Sequence, residues 1–96
     1  MTNFVLTFRN AAGHVTDEVE GASWMAWFGE LGSSVVEMGS QVGRTSSLGD
    51  APTTGGVVTG YTIVQADTLD DAVLLAKGCP GLAHGGAVEV GELIGM

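Results

Sequence analysis

GYTIVQADTLDDAVLLAKG, residues 60–78, contains a strand that is followed directly by a helix. The first part is rich in β-branched and aromatic residues, and we predict a strand over 57–66. Asp67 is a suitable N-cap residue, and the apolar positions that follow it recur at helical spacing. Since Gly78 is typical of a helix end, the predicted helix covers 67–77.

The two ends of the chain each contribute a strand to this unit. Phe4, Leu6 and Phe8 alternate with more polar residues, which predicts a first strand with one apolar face. Val88 and Val90 alternate in the same way within a last strand predicted over 87–93. Each of these strands therefore has one face that is suited to a core.

The middle of the chain supplies a first helix and one more strand. Aromatic and aliphatic residues at helical spacing predict a helix from about Glu20 to 32–34. In the glycine-rich stretch after it we predict a strand over 41–48 and a loop over 50–56, with Val35 and Val36 as an alternative start for the extended segment. The resulting order is βαββαβ, which indicates a ferredoxin-like α+β fold with a four-stranded antiparallel sheet and two helices on one face.

The second face of such a sheet has no helix to cover it. In the first strand that face carries Val5, Thr7 and Arg9, and in the last strand it includes Glu89 and Leu93. This mixture is too polar for a core and too apolar for open water. Pairing of two chains sheet to sheet covers such a face, so we expect a homodimer.

Charge and cysteine content limit the classes of partner. The 96 residues are enough for one domain, and eleven acidic residues against three basic ones give a net charge of −8. Three scattered cations are too few for nucleic acid or an anionic membrane surface. A lone Cys79 cannot form an internal disulfide, and no signal peptide is evident at the N-terminus. We therefore expect a cytoplasmic protein without nucleic-acid or membrane partners.

Several segments together resemble the YCII-related family. The pattern is a glycine-aromatic strand, an acidic-capped helix, a Cys-Pro stop and a Gly-x-Val-Glu-Val-like strand, preceded by a tryptophan-rich helix. The matching segments are 24–31, 39–43, 60–72, 76–80 and 85–90. The resemblance implies that 1–96 is a single YCII-like domain that forms a dimeric α/β barrel, often with a cleft on each side.

The resemblance also bears on catalysis. Some members are suspected enzymes with a His–Asp pair, and a few are linked to the breakdown of chlorinated aromatic compounds. A related branch has an Asp-Gly-Pro-Phe hairpin and a histidine in the first helix. This chain lacks that hairpin and carries Trp24 and Trp27, with no histidine, in its first helix. The family's suspected catalytic histidine is therefore not carried over.

Two histidines are candidates for acid–base chemistry. His14 follows the turn after the first strand, where Asp17 or Asp50 can orient it. His84 lies in a glycine-flanked loop, and such loops can present a side chain to a cleft. Both positions also fit ordinary solvated loop residues.

Four other residues are candidates for ligand binding: Trp27, Ser40, Gln41 and Tyr61. Two tryptophans on one helix stripe exceed what a small core needs, so Trp27 can line a cleft. The chain has no metal-ligand spacing and no glycine-rich nucleotide motif. We therefore predict no metal site and no cofactor.

Three functions remain open from the sequence. The first is a small-molecule-binding or accessory protein with an apolar cleft near Trp27, Ser40 and Tyr61. The second is a cofactor-free enzyme that acts by acid–base chemistry on a small aromatic or keto acid, with His14 or His84 as the base. The third is a structural dimer that binds no small ligand.

Overall fold

The strands form one antiparallel sheet, and both helices pack on one of its faces. A computed structural model describes residues 1–50 and 56–95. The elements are β1 (Thr2–Asn10), α1 (Glu18–Leu31), β2 (Val35–Gln41), β3 (Val57–Ala66), α2 (Leu69–Ala76) and β4 (Ala87–Glu92). The sheet order is β2-β3-β1-β4, and every neighbouring pair is antiparallel. The predicted ferredoxin-like fold is confirmed.

The core lies between the sheet and the two helices. From β1, Phe4, Leu6 and Phe8 point to the helices and are almost completely buried, in agreement with the predicted alternation. Trp27 and Leu31 of α1 meet them, as do small residues of α2. Burial of such side chains stabilises the fold by about 1.5–3 kcal/mol each. Neither helix in the described part of the chain is long and apolar enough to cross a membrane.

The strand β2 begins at the alternative start, Val35. The prediction over 41–48 is wrong, because β2 covers Val35–Gln41 and its last pairing joins Gln41 to Gly60. Gly32 ends α1 with a φ of 50°, and a short 3₁₀ turn leads directly into β2. Register shifts on either side of Glu37 interrupt the alternation in this strand. Most of the predicted loop over 50–56 lies outside the described residues.

Both helices begin at different residues from those predicted. Thr68 caps α2 by accepting a hydrogen bond from the backbone N–H of Asp71 (3.1 Å), so Asp67 is not the N-cap. In α1, Asp17 is the N-cap and accepts from the backbone N–H of Glu20 (2.8 Å). Glu20 therefore lies inside the first turn of α1 rather than at its start.

Candidate functional site

Glu20 is a buried carboxylate and forms the centre of the site. It is 3% exposed, although it belongs to the first turn of a helix. Its Oε2 atom accepts hydrogen bonds from Trp24 Nε1 (3.0 Å) and Thr16 Oγ1 (3.5 Å). Trp24 lies four residues further along α1, which brings the indole next to the carboxylate. The buried charge therefore has hydrogen-bond donors on one oxygen.

The other carboxylate oxygen of Glu20 faces both histidines. His14 Nε2 lies 2.9 Å from Oε1, and His84 Nδ1 lies 3.7 Å from the same atom. His14 comes from the loop after β1, where its backbone N–H donates to the carbonyl of Ala11. His84 ends the 3₁₀ turn Pro80–His84, after α2. We call these three side chains the His–Glu cluster.

Hydrogen bonding keeps Glu20 ionised. Burial alone raises the pKa of its carboxyl group, but the hydrogen bonds from Trp24 and His14 and the charges of the two histidines outweigh it. The pKa therefore lies below its ordinary value of 4.5. At neutral pH the cluster has a carboxylate beside two imidazole rings.

The low pKa of Glu20 predicts a loss of stability in acid. A carboxyl group whose pKa is lower in the folded state stabilises the fold at pH values above its unfolded pKa. This contribution is lost as the pH falls below about 4.5 and through the folded-state pKa. We expect Glu20→Gln to show a smaller drop in unfolding free energy than the parent between pH 6 and pH 3, measured by urea denaturation. An equal drop in both proteins would contradict the assigned hydrogen bonds.

An open cavity of about 310 Å³ adjoins the His–Glu cluster. One wall comes from α1 and the other from the end of α2 and the 3₁₀ turn after it. The lining residues are Ser23, Ala26, Trp27, Glu30, Gly78, Pro80, Ala83 and His84. The volume is at the lower end of the range for ligand sites. Since His84 belongs to both the cavity wall and the cluster, a bound molecule would meet an imidazole backed by a carboxylate.

This arrangement suits proton transfer. The charge of a carboxylate beside an imidazole favours a proton on the ring nitrogen that faces it, which leaves the other ring nitrogen to accept or return a proton. In His84 the nitrogen nearer Glu20 is Nδ1, at 3.7 Å, which is too far for a hydrogen bond, so Glu20 acts on this ring through its charge and Nε2 is the nitrogen left for the exchange. His14 contacts the same oxygen of Glu20 but is not among the residues that line the cavity.

The predicted acid–base residues come together, but through a partner that the sequence analysis missed. Both His14 and His84 meet Glu20, whereas Asp17 caps α1. The sequence feature that could have identified Glu20 is its position, three residues after the N-cap Asp17 and four residues before Trp24. In an ordinary capping box, such a glutamate turns back to the cap instead.

The predicted ligand-binding residues lie on two sides of the sheet. Trp27 lines the cavity on the helix side. Tyr61 faces away from the helices, and its hydroxyl donates to Glu37 Oε1 (3.4 Å). Ser40 pairs with Tyr61 across the sheet, and Gln41 ends β2. The latter three residues therefore do not share a cavity with Trp27 in the described part of one chain.

Cys79 and the other possible metal ligands form no evident centre. In the described ranges, no group of three or more histidine, cysteine, aspartate or glutamate residues has a geometry that could hold a metal ion. Cys79 is free and buried, and this burial raises the pKa of its thiol. A buried, protonated thiol is a packing residue rather than a nucleophile.

The comparisons with known proteins support the fold class. By sequence, no protein family and no curated protein matches the chain. By structure, the chain is similar to 5-chloro-2-hydroxyhydroquinone dehydrochlorinase (TftG) from Burkholderia phenoliruptrix AC1100, solved in complex with 2,5-dihydroxybenzoquinone. The TM-score is 0.66 at 15% sequence identity, over 98% of this chain and 95% of that one. The two proteins therefore share a fold over nearly their whole lengths.

Proposed function

We propose that this protein binds a small molecule in the cavity beside His84 and moves a proton on it without a cofactor. The observation that carries this proposal is the buried Glu20 carboxylate in contact with two imidazole rings, one of which lines the cavity. Burying a carboxylate is costly unless hydrogen bonds compensate for it. A charge kept at this depth next to a cavity is typical of catalytic sites.

The proposed chemistry is a reversible proton transfer. The Glu20 charge favours a proton on His84 Nδ1, which lies 3.7 Å from Glu20 Oε1. His84 Nε2 accepts a proton from an acidic C–H or O–H group of the bound molecule, and Glu20 stabilises the positive charge that results. The same ring then returns the proton to the product, so the protein ends unchanged. No oxidant, metal or other reactant is required for this sequence.

The structural neighbour supports a small ring as the ligand. Its name and bound molecule show that this fold can carry an enzyme that acts on a hydroxylated ring.

We also propose that the chain is one YCII-related domain and forms a cytoplasmic homodimer through the sheet face opposite the helices. The partly buried Val5 and Ile63 on that face support this pairing, because they point away from the core of one chain.

Loss of proton exchange in His84→Gln is the expected test result. The parent protein is incubated in D₂O with a panel of small phenols and carbonyl compounds, and NMR follows the loss of exchangeable C–H signals. For any compound that exchanges, we expect His84→Gln to be slower by about 10²–10⁴-fold, because general-base catalysis contributes that much. Glu20→Gln should also be slower, since the ring loses its orienting charge.

Glu18→Gln is the matched control for this experiment. Glu18 is an exposed acid in the first turn of the same helix and lies outside the cavity wall. The Glu18→Gln variant should therefore catalyse proton exchange at the rate of the parent protein. If the parent and His84→Gln exchange protons at the same rate, His84 is not the base. If compounds bind but none exchanges, the protein binds small molecules and does not catalyse proton transfer.

A further inference from the structure

We infer that the cavity selects a compact ring that carries hydrogen-bond donors and no negative charge, and that Glu30 contributes to this selection. The inference rests on the proposed function and names the ligand class of the same site. It favours neutral compounds over the small aromatic and keto acids that the sequence analysis considered. Three features of the wall lead to it, namely its charge, the direction of its hydrogen bonds and its size.

The charge of the wall disfavours anions. Its ionisable side chains are Glu30 and His84, and no lysine or arginine is among the lining residues that the structure describes. Lys77 is next to Gly78 in sequence but is exposed and outside the wall. The ionised Glu20 behind His84 adds negative potential, as does the net charge of −8. A carboxylate ligand would therefore approach two carboxylates with no lysine or arginine in the wall to offset them.

The polar side chains of the wall offer acceptors. The Ser23 hydroxyl already donates to the carbonyl of Val19 (3.1 Å), and the Trp27 indole N–H donates to the carbonyl of Leu75 (3.2 Å). Glu30, as a carboxylate, can only accept. The Glu20 charge favours the His84 proton on Nδ1, which leaves Nε2 as an acceptor. A ligand that donates hydrogen bonds therefore matches these side chains better than one that only accepts.

The cavity has room for about one ring. A volume of about 310 Å³ is at the lower end of ligand sites. Trp27 is 3% exposed, so it presents only a rigid edge to the cavity. Ala26, Pro80 and Ala83 add further apolar surface. A flat ring with hydroxyl or amino groups at its edge fits this combination of apolar walls and acceptors.

Three probes of similar size separate charge from hydrogen bonding. Resorcinol is neutral and donates, 1,3-dimethoxybenzene is neutral and does not donate, and benzoate is an anion at pH 7.5. Amide shifts of Ala26, Gly78 and Ala83 in ¹⁵N–¹H NMR titrations report binding to the full chain. We expect resorcinol to bind more tightly than the dimethoxy compound by about two- to tenfold, the value of a hydrogen bond. Benzoate should bind most weakly.

Glu30 variants test the selecting residue. Glu30 is exposed at the cavity wall, so Glu30→Gln should reduce the preference for resorcinol over benzoate by only about two- to fivefold. Glu30→Lys should bind benzoate more tightly than the parent does. Glu18→Gln, with the same loss of charge outside the wall, should leave the preference unchanged.

Each outcome decides either the ligand class or the proposed function. Benzoate binding as tightly as resorcinol, equal binding of both neutral probes, or no shifts with any probe would overturn the inferred ligand class. Proton exchange that depends on His84 would still stand in those cases, because it is measured on a separate panel. Resorcinol binding with the expected preferences but no exchange of any compound would support the ligand class and refute the proton transfer.

Discussion

Phe8→Ala is expected to lower the free energy of unfolding by about 3–5 kcal/mol, the usual loss for a buried phenylalanine. The Phe8 side chain packs against the two tryptophans of α1, with its ring centroid 5.0 Å from that of Trp24 and 5.8 Å from that of Trp27. Both contacts are edge-to-face, a geometry that adds about 0.5–1.5 kcal/mol per pair. Urea denaturation followed by circular dichroism measures the change.

Two further variants separate ring packing from general effects on β1. Phe8→Leu keeps an apolar side chain and should lose less stability than Phe8→Ala, so it can still be measured if Phe8→Ala does not fold. Asn3→Ala changes the same strand at an exposed position on the face away from the helices. If Asn3→Ala is as destabilising as Phe8→Ala, packing of the Phe8 ring is not the main source of stability in β1.

Gly39→Ala is expected to lower the free energy of unfolding by at least about 2 kcal/mol. Gly39 has a φ of 75°, a conformation that residues with a β-carbon rarely adopt. In addition, a β-carbon at this position would overlap the carbonyl oxygen of Tyr61 on the paired strand. The register of β2 against β3 depends on this close approach, so the two strands must move apart in the variant.

Gly43→Ala is the matched control for Gly39→Ala. Gly43 lies just beyond β2, and a β-carbon there would meet nothing within 4 Å. Its replacement should be neutral or slightly stabilising, because alanine restricts the unfolded chain. Similar losses in both variants, in thermal or urea denaturation, would show that the approach to Tyr61 does not limit this position.

Local sequence patterns were enough to predict most of the fold. The alternation of Phe4, Leu6 and Phe8 and the β-branched run over 57–66 each have one dominant period, and both strands lie where predicted. The position of β2 was not predictable in the same way. Its register shifts break the period of two, and only pairing with β3 shows which residues of 35–48 are extended.

The candidate site was predictable only in part, because it depends on contacts between distant residues. His14 and His84 could be recognised as titratable loop residues, but their common partner could not. Glu20 is buried because α1 starts at Glu18, which turns the glutamate side chain towards the core rather than towards water. A shift of the helix start by one residue changes that direction by about 100°.

The position of the two tryptophans gives the protein a natural optical reporter. The chain has two tryptophans, Trp24 and Trp27, and they lie on one face of α1. Trp24 is hydrogen-bonded to the Glu20 carboxylate, and Trp27 lines the cavity. Their fluorescence therefore comes entirely from the candidate site. Protonation of Glu20 or entry of an aromatic molecule would change the emission without any label.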